Sequence, residues 1–233
     1  MSQLALPLQL DDHAVFASFL ANGNETLVSL LERAASDGSG GGCWIWGAPA
    51  VGKTHLLQAV SERAGDRSAY VPMALLAVAG PNVIEGLERR ELVCIDDIDK
   101  VAGNKAWERA LFNLYNDIAA EGGQLIVSAA MSQRECPLGL PDLASRLSQL
   151  PAFRVLELSE ADREAALQLR SSHRGLELPD ETARYLLSRS RRDMQSLYRL
   201  LDTLDQEALR MKRRLTIPFV RSVLNTMSDR ASG

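Results

Sequence analysis

Gly47-Ala48-Pro49-Ala50-Val51-Gly52-Lys53-Thr54 fits G-x-x-x-x-G-K-[ST] at every fixed position. Residues of these types at this spacing bind polyphosphate. The glycines let backbone N–H groups curl around phosphate oxygens, and the positive end of a following helix strengthens their field. Lys53 is set to reach the β- and γ-phosphates, and the Thr54 hydroxyl to bind Mg²⁺. Gly47, Val51, Gly52, Lys53, Thr54 and His55 form the candidate nucleotide-binding set on this loop. The flanks agree with the motif. Cys43-Trp44-Ile45-Trp46 reads as a short buried strand, and His55-Leu56-Leu57-Gln58-Ala59-Val60 as a helix.

Further along, Leu92-Val93-Cys94-Ile95 is an apolar run ending in Asp96-Asp97-Ile98-Asp99. Asp96 is placed to hold the Mg²⁺ water shell opposite Thr54, and Asp97 to orient the attacking water. Asp97 stands where many ATPases carry Glu, so its reach is one methylene shorter and intrinsic hydrolysis is expected to be weak at most. Ser128 ends another apolar run, Gln124-Leu125-Ile126-Val127. Its hydroxyl would meet the γ-phosphate or the water, or else cap a turn. Arg192, at a helix start, would fold over the β/γ-phosphates or else belong to a solvated basic face.

Several elements must position these groups. Glu25 to Ala35 carries Leu27, Leu30, Leu31 and Ala34 at helical spacing, with Asn24 as its expected N-cap. Ala69-Tyr70-Val71-Pro72-Met73 reads as a second strand, Ala106 to Ala120 as an amphipathic helix, and Phe153 to Leu158 as the last strand. Continuous apolar runs alternating with helices predict a doubly wound, mostly parallel α/β sheet. From Ser159 the pattern is helical alone. One helix opens at Ser159-Glu160 and ends near Gly175, Asp180 caps a second, a third runs from about Asp193 to Lys212, and a fourth begins near Ile217 with Pro218 in its first turn. The expected organisation is an extended peptide at 1–10, a nucleotide-binding domain at 11–158 and a small helical domain at 159–233.

Composition bounds the alternatives. With 233 residues and 46% hydrophobic content, the chain can bury one α/β core and a small second domain. No apolar run approaches the roughly 20 residues of a membrane span, and the N-terminus does not read as a secretory signal. Three scattered cysteines and three scattered histidines give no metal spacing, and reduced buried thiols in a cytoplasmic protein are expected. A net charge of −4 argues against a protein that grips DNA over its whole surface. Trp44 and Trp46 are expected to pack in or beside the sheet core.

The order of phosphate loop, Asp-Asp strand end, strand-end Ser and helical lid with a helix-start Arg resembles an AAA+ ATPase. Lys53-Thr54-His55-Leu56-Leu57-Gln58-Ala59, Ile95-Asp96-Asp97-Ile98 and Arg192-Asp193-Met194-Gln195-Ser196-Leu197 are similar to the initiator DnaA, over about residues 14 to 226. A DnaA-type helicase-interaction domain and a C-terminal helix-turn-helix domain are not expected. Gln3-Leu4-Ala5-Leu6-Pro7-Leu8 looks like a sliding-clamp-binding peptide, with an amide at Gln3, apolar plugs at Leu4, Leu6 and Leu8, and Pro7 holding the segment extended. Together with Leu140-Pro141-Asp142-Leu143-Ala144-Ser145-Arg146-Leu147 and Leu215-Thr216-Ile217-Pro218-Phe219-Val220, it resembles the Hda family of regulatory inactivators of DnaA.

That resemblance implies a negative regulator of replication initiation. It would bind the DNA-loaded sliding clamp (the β subunit of DNA polymerase III) and promote hydrolysis of DnaA-bound ATP. Arg146 would be the arginine finger supplied in trans, a device worth roughly 10³–10⁵ in rate. ADP is the nucleotide associated with the active form, and nucleotide-dependent self-association is expected. DNA would be met through the clamp, with a weak direct contact possible from the basic lid residues Arg189, Arg191, Arg192, Arg199, Arg210, Lys212, Arg213 and Arg214. The competing readings are an autonomous ATPase such as a replicative helicase loader, a clamp-tethering module, and a clamp-loader subunit.

Overall fold

The computed structural model describes residues 14–39, 41–189 and 194–231. Residues 1–13, with the expected clamp peptide, and 190–193, with Arg192, lie outside them. The elements follow in the order α1 (Glu25–Asp37), β1 (Cys43–Trp46), α2 (Lys53–Ala64), β2 (Ser68–Pro72), α3 (Met73–Leu76), β3 (Leu92–Asp96), α4 (Lys105–Ala120), β4 (Gln124–Ala129), α5 (Pro141–Ser148), β5 (Ala152–Arg154), α6 (Glu160–His173), α7 (Asp180–Arg189), α8 (Met194–Met211) and α9 (Ile217–Ala231).

The five strands form one sheet in the order β2-β3-β4-β1-β5, and every pairing is parallel. Strands of a parallel sheet are covered on both faces, which is why β1, β3 and β4 are almost continuously apolar. Trp44, Val93, Ile95, Leu125 and Val127 share one core with Trp107, Leu111, Leu114 and Ile118 of α4 and with Leu143 and Leu147 of α5. The alternate positions Cys43, Ile45, Cys94 and Ile126 are equally buried. They point to the opposite face, where α2 packs on the sheet and α1 packs on α2. The Trp44 indole N–H donates to the Met131 carbonyl at 3.1 Å, and Trp46 lies half-buried under the Arg154 guanidinium. All three cysteines are free and buried. Burial pushes the Cys43 thiol up to about 12 and the Cys136 thiol to about 11.

The chain divides into two compact units. The first is built on 24–48 and 52–155, and the second on 156 onward together with Ala17–Gly23 and Pro49–Val51. The second unit has its own core, in which Leu167, Ala183, Leu186, Leu197, Leu201, Leu204 and Val220 from all four helices α6 to α9 come together. Ser159 caps α6 in a reciprocal box with Asp162. Arg174, just after α6, reaches Asp202 at 2.5 Å and Asp205 at 3.5 Å on α8. No helix among the described residues is long and apolar enough to cross a membrane.

Three local expectations are corrected. The last strand stops at Arg154, not Leu158. Among the described residues its sole sheet neighbour is β1, and past Trp46 that strand turns into the phosphate loop. Asn24 stands before α1, but its side chain makes no capping bond, since its ψ of 15° departs from the extended backbone a side-chain cap uses. Asp180 is the first residue of α7, and its carboxylate accepts the Gln168 amide at 2.7 Å.

Candidate functional site

The phosphate loop leaves β1 at Gly47 and enters α2 at Lys53. Gly47, Ala50 and Gly52 have positive φ values of 156°, 63° and 102°. Glycine takes up two of these at little cost, and Ala50 holds the left-handed region despite its Cβ. The turn delivers the N-terminus of a twelve-residue helix, whose first N–H groups have no partner within the helix. Lys53 is buried, and its ammonium donates to the carbonyls of Gly47 at 2.8 Å and Ala48 at 3.0 Å. Burial lowers its affinity for the proton, while Asp97, Asp96 and Asp99 pull the other way. Thr54 is exposed. His55 bonds through Nε2 to the Val15 carbonyl at 3.0 Å, so this ring ties the loop helix to the segment before α1.

The carboxylates sit at the C-terminal end of β3. Asp96 is buried, and each of its oxygens meets a hydroxyl: Ser128 donates to Oδ1, and Tyr70 of β2 donates to Oδ2 at 2.8 Å. The Ser128 oxygen in turn accepts the Asp97 N–H at 2.9 Å. Ser128 is fully buried, so its hydroxyl fixes the acid pair from the neighbouring strand. Asp99 adds a second tie, accepting the Ala130 N–H at 3.0 Å. Asp97 occupies the left-handed region at φ 56°. Burial raises its pKa above the ordinary carboxylate value, and the neighbouring charges of Asp96 and Asp99 add to the rise. The raised proton affinity of this half-buried acid thus reflects burial first and the neighbouring carboxylates second.

Arg146 lies apart from this cluster in the chain, on α5. Leu143 and Leu147 fix the helix to the core, which leaves Arg146 exposed on the outer side. Its guanidinium makes no ion pair or hydrogen bond among the described residues. Two further site residues were not apparent in the sequence reading. Tyr70 read as ordinary strand filling, and Glu108 as a polar helix position. Glu108 sits one position after Trp107 and three before Leu111, both core residues, so it falls on the buried stripe of α4. A carboxylate on an apolar stripe is the signal that would have marked it.

Comparison with known proteins adds to this geometry. A family model described as the Hda lid domain matches residues 160–224. The fold is similar to domain III of the Thermotoga maritima replication initiation protein DnaA, with a TM-score of 0.74 and 17% identity over 93% of this chain and 97% of that one. AMPPCP-bound DnaA from Aquifex aeolicus follows at a TM-score of 0.67 and 20% identity, over 83% of this chain and 65% of that one. Residues 160–224 are therefore similar to the Hda lid, and the fold of the chain is similar to that of DnaA domain III. The likeness of fold extends to the RuvB branch-migration motor of Thermotoga maritima, with a TM-score of 0.62 and 20% identity over 89% of this chain and 69% of that one.

The donor set of the phosphate-loop site fits a polyphosphate. A buried ammonium, a glycine-turned loop and a free helix N-terminus supply cationic and N–H donors. Among the described residues no three His, Cys, Asp or Glu side chains gather into a metal site. A Mg²⁺ beside nucleotide phosphates would keep most of its waters and take few protein oxygens. The spare lone pairs of Asp96 and the exposed Thr54 hydroxyl are the groups available to such a hydrated ion.

Proposed function

We propose that this protein is a negative regulator of replication initiation. It holds its own adenine nucleotide and presents Arg146 to ATP bound by a DnaA-type neighbour. Gly47, Val51, Gly52, Lys53 and Thr54 would bind the phosphates, with Thr54 and Asp96 holding Mg²⁺ and Arg192 contributing from the lid. His55 would act by holding the loop helix in place. Bound Mg²⁺-nucleotide would supply charge neutralisation and a fixed interface surface. Ser128 and Tyr70 orient Asp96, and Asp97 sits beside them with a shorter reach than Glu, so slow intrinsic turnover fits the site. An inward helix face with an exposed, uncommitted arginine is the observation that carries the reading. A guanidinium without an intramolecular carboxylate is free to meet phosphate oxygens across an interface, where it would stabilise charge developing in the transition state.

The peptide Gln3, Leu4, Leu6, Pro7 and Leu8 would anchor the protein to the DNA-loaded sliding clamp, so DNA is met through the clamp. The division of labour makes a separation-of-function test. Arg146→Ala should bind ADP like wild type and fail to stimulate DnaA. Leu6→Ala should keep fold and ADP binding and lose the clamp in a pull-down. Stimulation that survives Arg146→Ala, beside rapid hydrolysis by this chain alone, would instead favour an autonomous motor.

A further inference from the structure

We propose that Glu108 is a positioning residue for Arg146, tying the segment that follows the acid pair to the start of the arginine helix. The inference rests on the trans-arginine reading above. Glu108 is 1% exposed. Its Oε1 accepts the Gly103 N–H at 2.7 Å and the Gly139 N–H at 2.9 Å, and its Oε2 accepts the Leu140 N–H at 2.7 Å. No cation pairs with it among the described residues, so its charge is met by three backbone amides.

Those amides come from two separate segments. Gly103, at φ 83°, closes the turn reached from Asp97 through the short helical turn Ile98–Lys100. Gly139 and Leu140 lead into α5, and Leu140 is its N-cap residue without contributing a side-chain cap. Glu108 therefore replaces local capping as the device that sets where α5 begins. The helix has only eight residues, so a tilt at its start carries directly to Arg146. An apolar residue would pack this stripe of α4 equally well, but it would take the acceptor away from three part-buried N–H groups at once. The carboxylate thus fixes the distance between the nucleotide-side acid segment and the outward arginine.

Glu108→Gln keeps the size but puts an NH₂ where a backbone N–H must be accepted. Glu108→Asp keeps the charge but falls a methylene short. Both are compared with wild type for stimulated DnaA turnover, ADP affinity and amide exchange. The expected result is a maximal stimulated rate lowered by about 10- to 10²-fold. The half-saturating concentration and ADP affinity should move by less than about twofold, and exchange should quicken at Gly103, Gly139, Leu140 and α5 while β3 and β4 stay protected. Glu108→Asp should fall between Glu108→Gln and wild type. An unchanged maximal rate in both variants overturns the proposal. So does loss of ADP affinity and sheet protection in both, since Glu108 would then be a determinant of the whole fold. Full stimulation by Arg146→Ala would instead sink the trans-arginine reading, a result distinguishable from either.

Discussion

At the level of single residues, the site is a set of charges placed against one another and held by neutral groups. Asp97 shows the cost. Its proton affinity is raised by burial first and by Asp96 and Asp99 next, so the folded state binds its proton more tightly than the unfolded chain does. Stability from this group therefore falls as pH rises from about 4 through the raised folded value, and the penalty persists at neutral pH. Asp97→Asn should therefore raise the melting temperature at pH 7. Asn also tolerates the left-handed backbone. The gain should vanish below about pH 3.8, where the native carboxyl is neutral in both states; thermal melts across pH 3 to 8 check this. Ser128 is the opposite case. Its hydroxyl satisfies both Asp96 and the Asp97 amide inside the protein, so Ser128→Ala should cost about 1–3 kcal/mol in chemical denaturation. From the sequence, a strand-end serine is equally a phosphate contact or a turn cap. Only the register that sets Ile95 beside Val127 reveals that it faces the acid pair.

Among the elements, the parallel strands and their helices were legible because strands covered on both faces read as nearly continuous apolar runs, as β1, β3 and β4 do. The phosphate loop was legible because its motif sits between one such strand and a helix. The strand order was not. β4 lies between β3 and β1, and nothing in either sequence names its partners. Nor was the end of β5, which depends on where its only neighbour leaves the sheet. Glu108 was missed because helical periodicity marks a position as buried without saying that loop amides wait there. Close approach between elements also fixes Gly42, just before β1. A Cβ there would lie 2.5 Å from the Leu125 carbonyl and 3.2 Å from its N–H, against the backbone of β4. Gly42→Ala should therefore shift β1 against β4 and destabilise by ~1–3 kcal/mol, read from denaturant midpoints. Gly41→Ala, with open space around its Cβ but φ 74°, should show only the smaller backbone cost.

For the molecule as a whole, two cores with different tasks share one chain. The α/β unit carries Gly47, Lys53, the acid pair and Arg146, while the helical unit carries the residues that match the Hda lid. The helical core depends on a charged clasp from Arg174, which is nearly buried, to Asp202 and Asp205. Arg174→Ala should destabilise that unit by about 2–4 kcal/mol, since it removes the cation that faces two partly buried carboxylates. Amide exchange should quicken across α6 to α9 and stay slow in β3 and β4. Central to the account is the claim that this nucleotide-holding unit acts on a neighbour's nucleotide. Hydrolysis of labelled ATP pre-bound to DnaA, with wild-type protein or Arg146→Ala and clamp loaded on DNA, measures it most directly. The account predicts clamp-dependent conversion to ADP by wild type, falling by roughly 10³-fold or more in the arginine variant. Equal conversion by both proteins, with ADP binding intact in each, would contradict it.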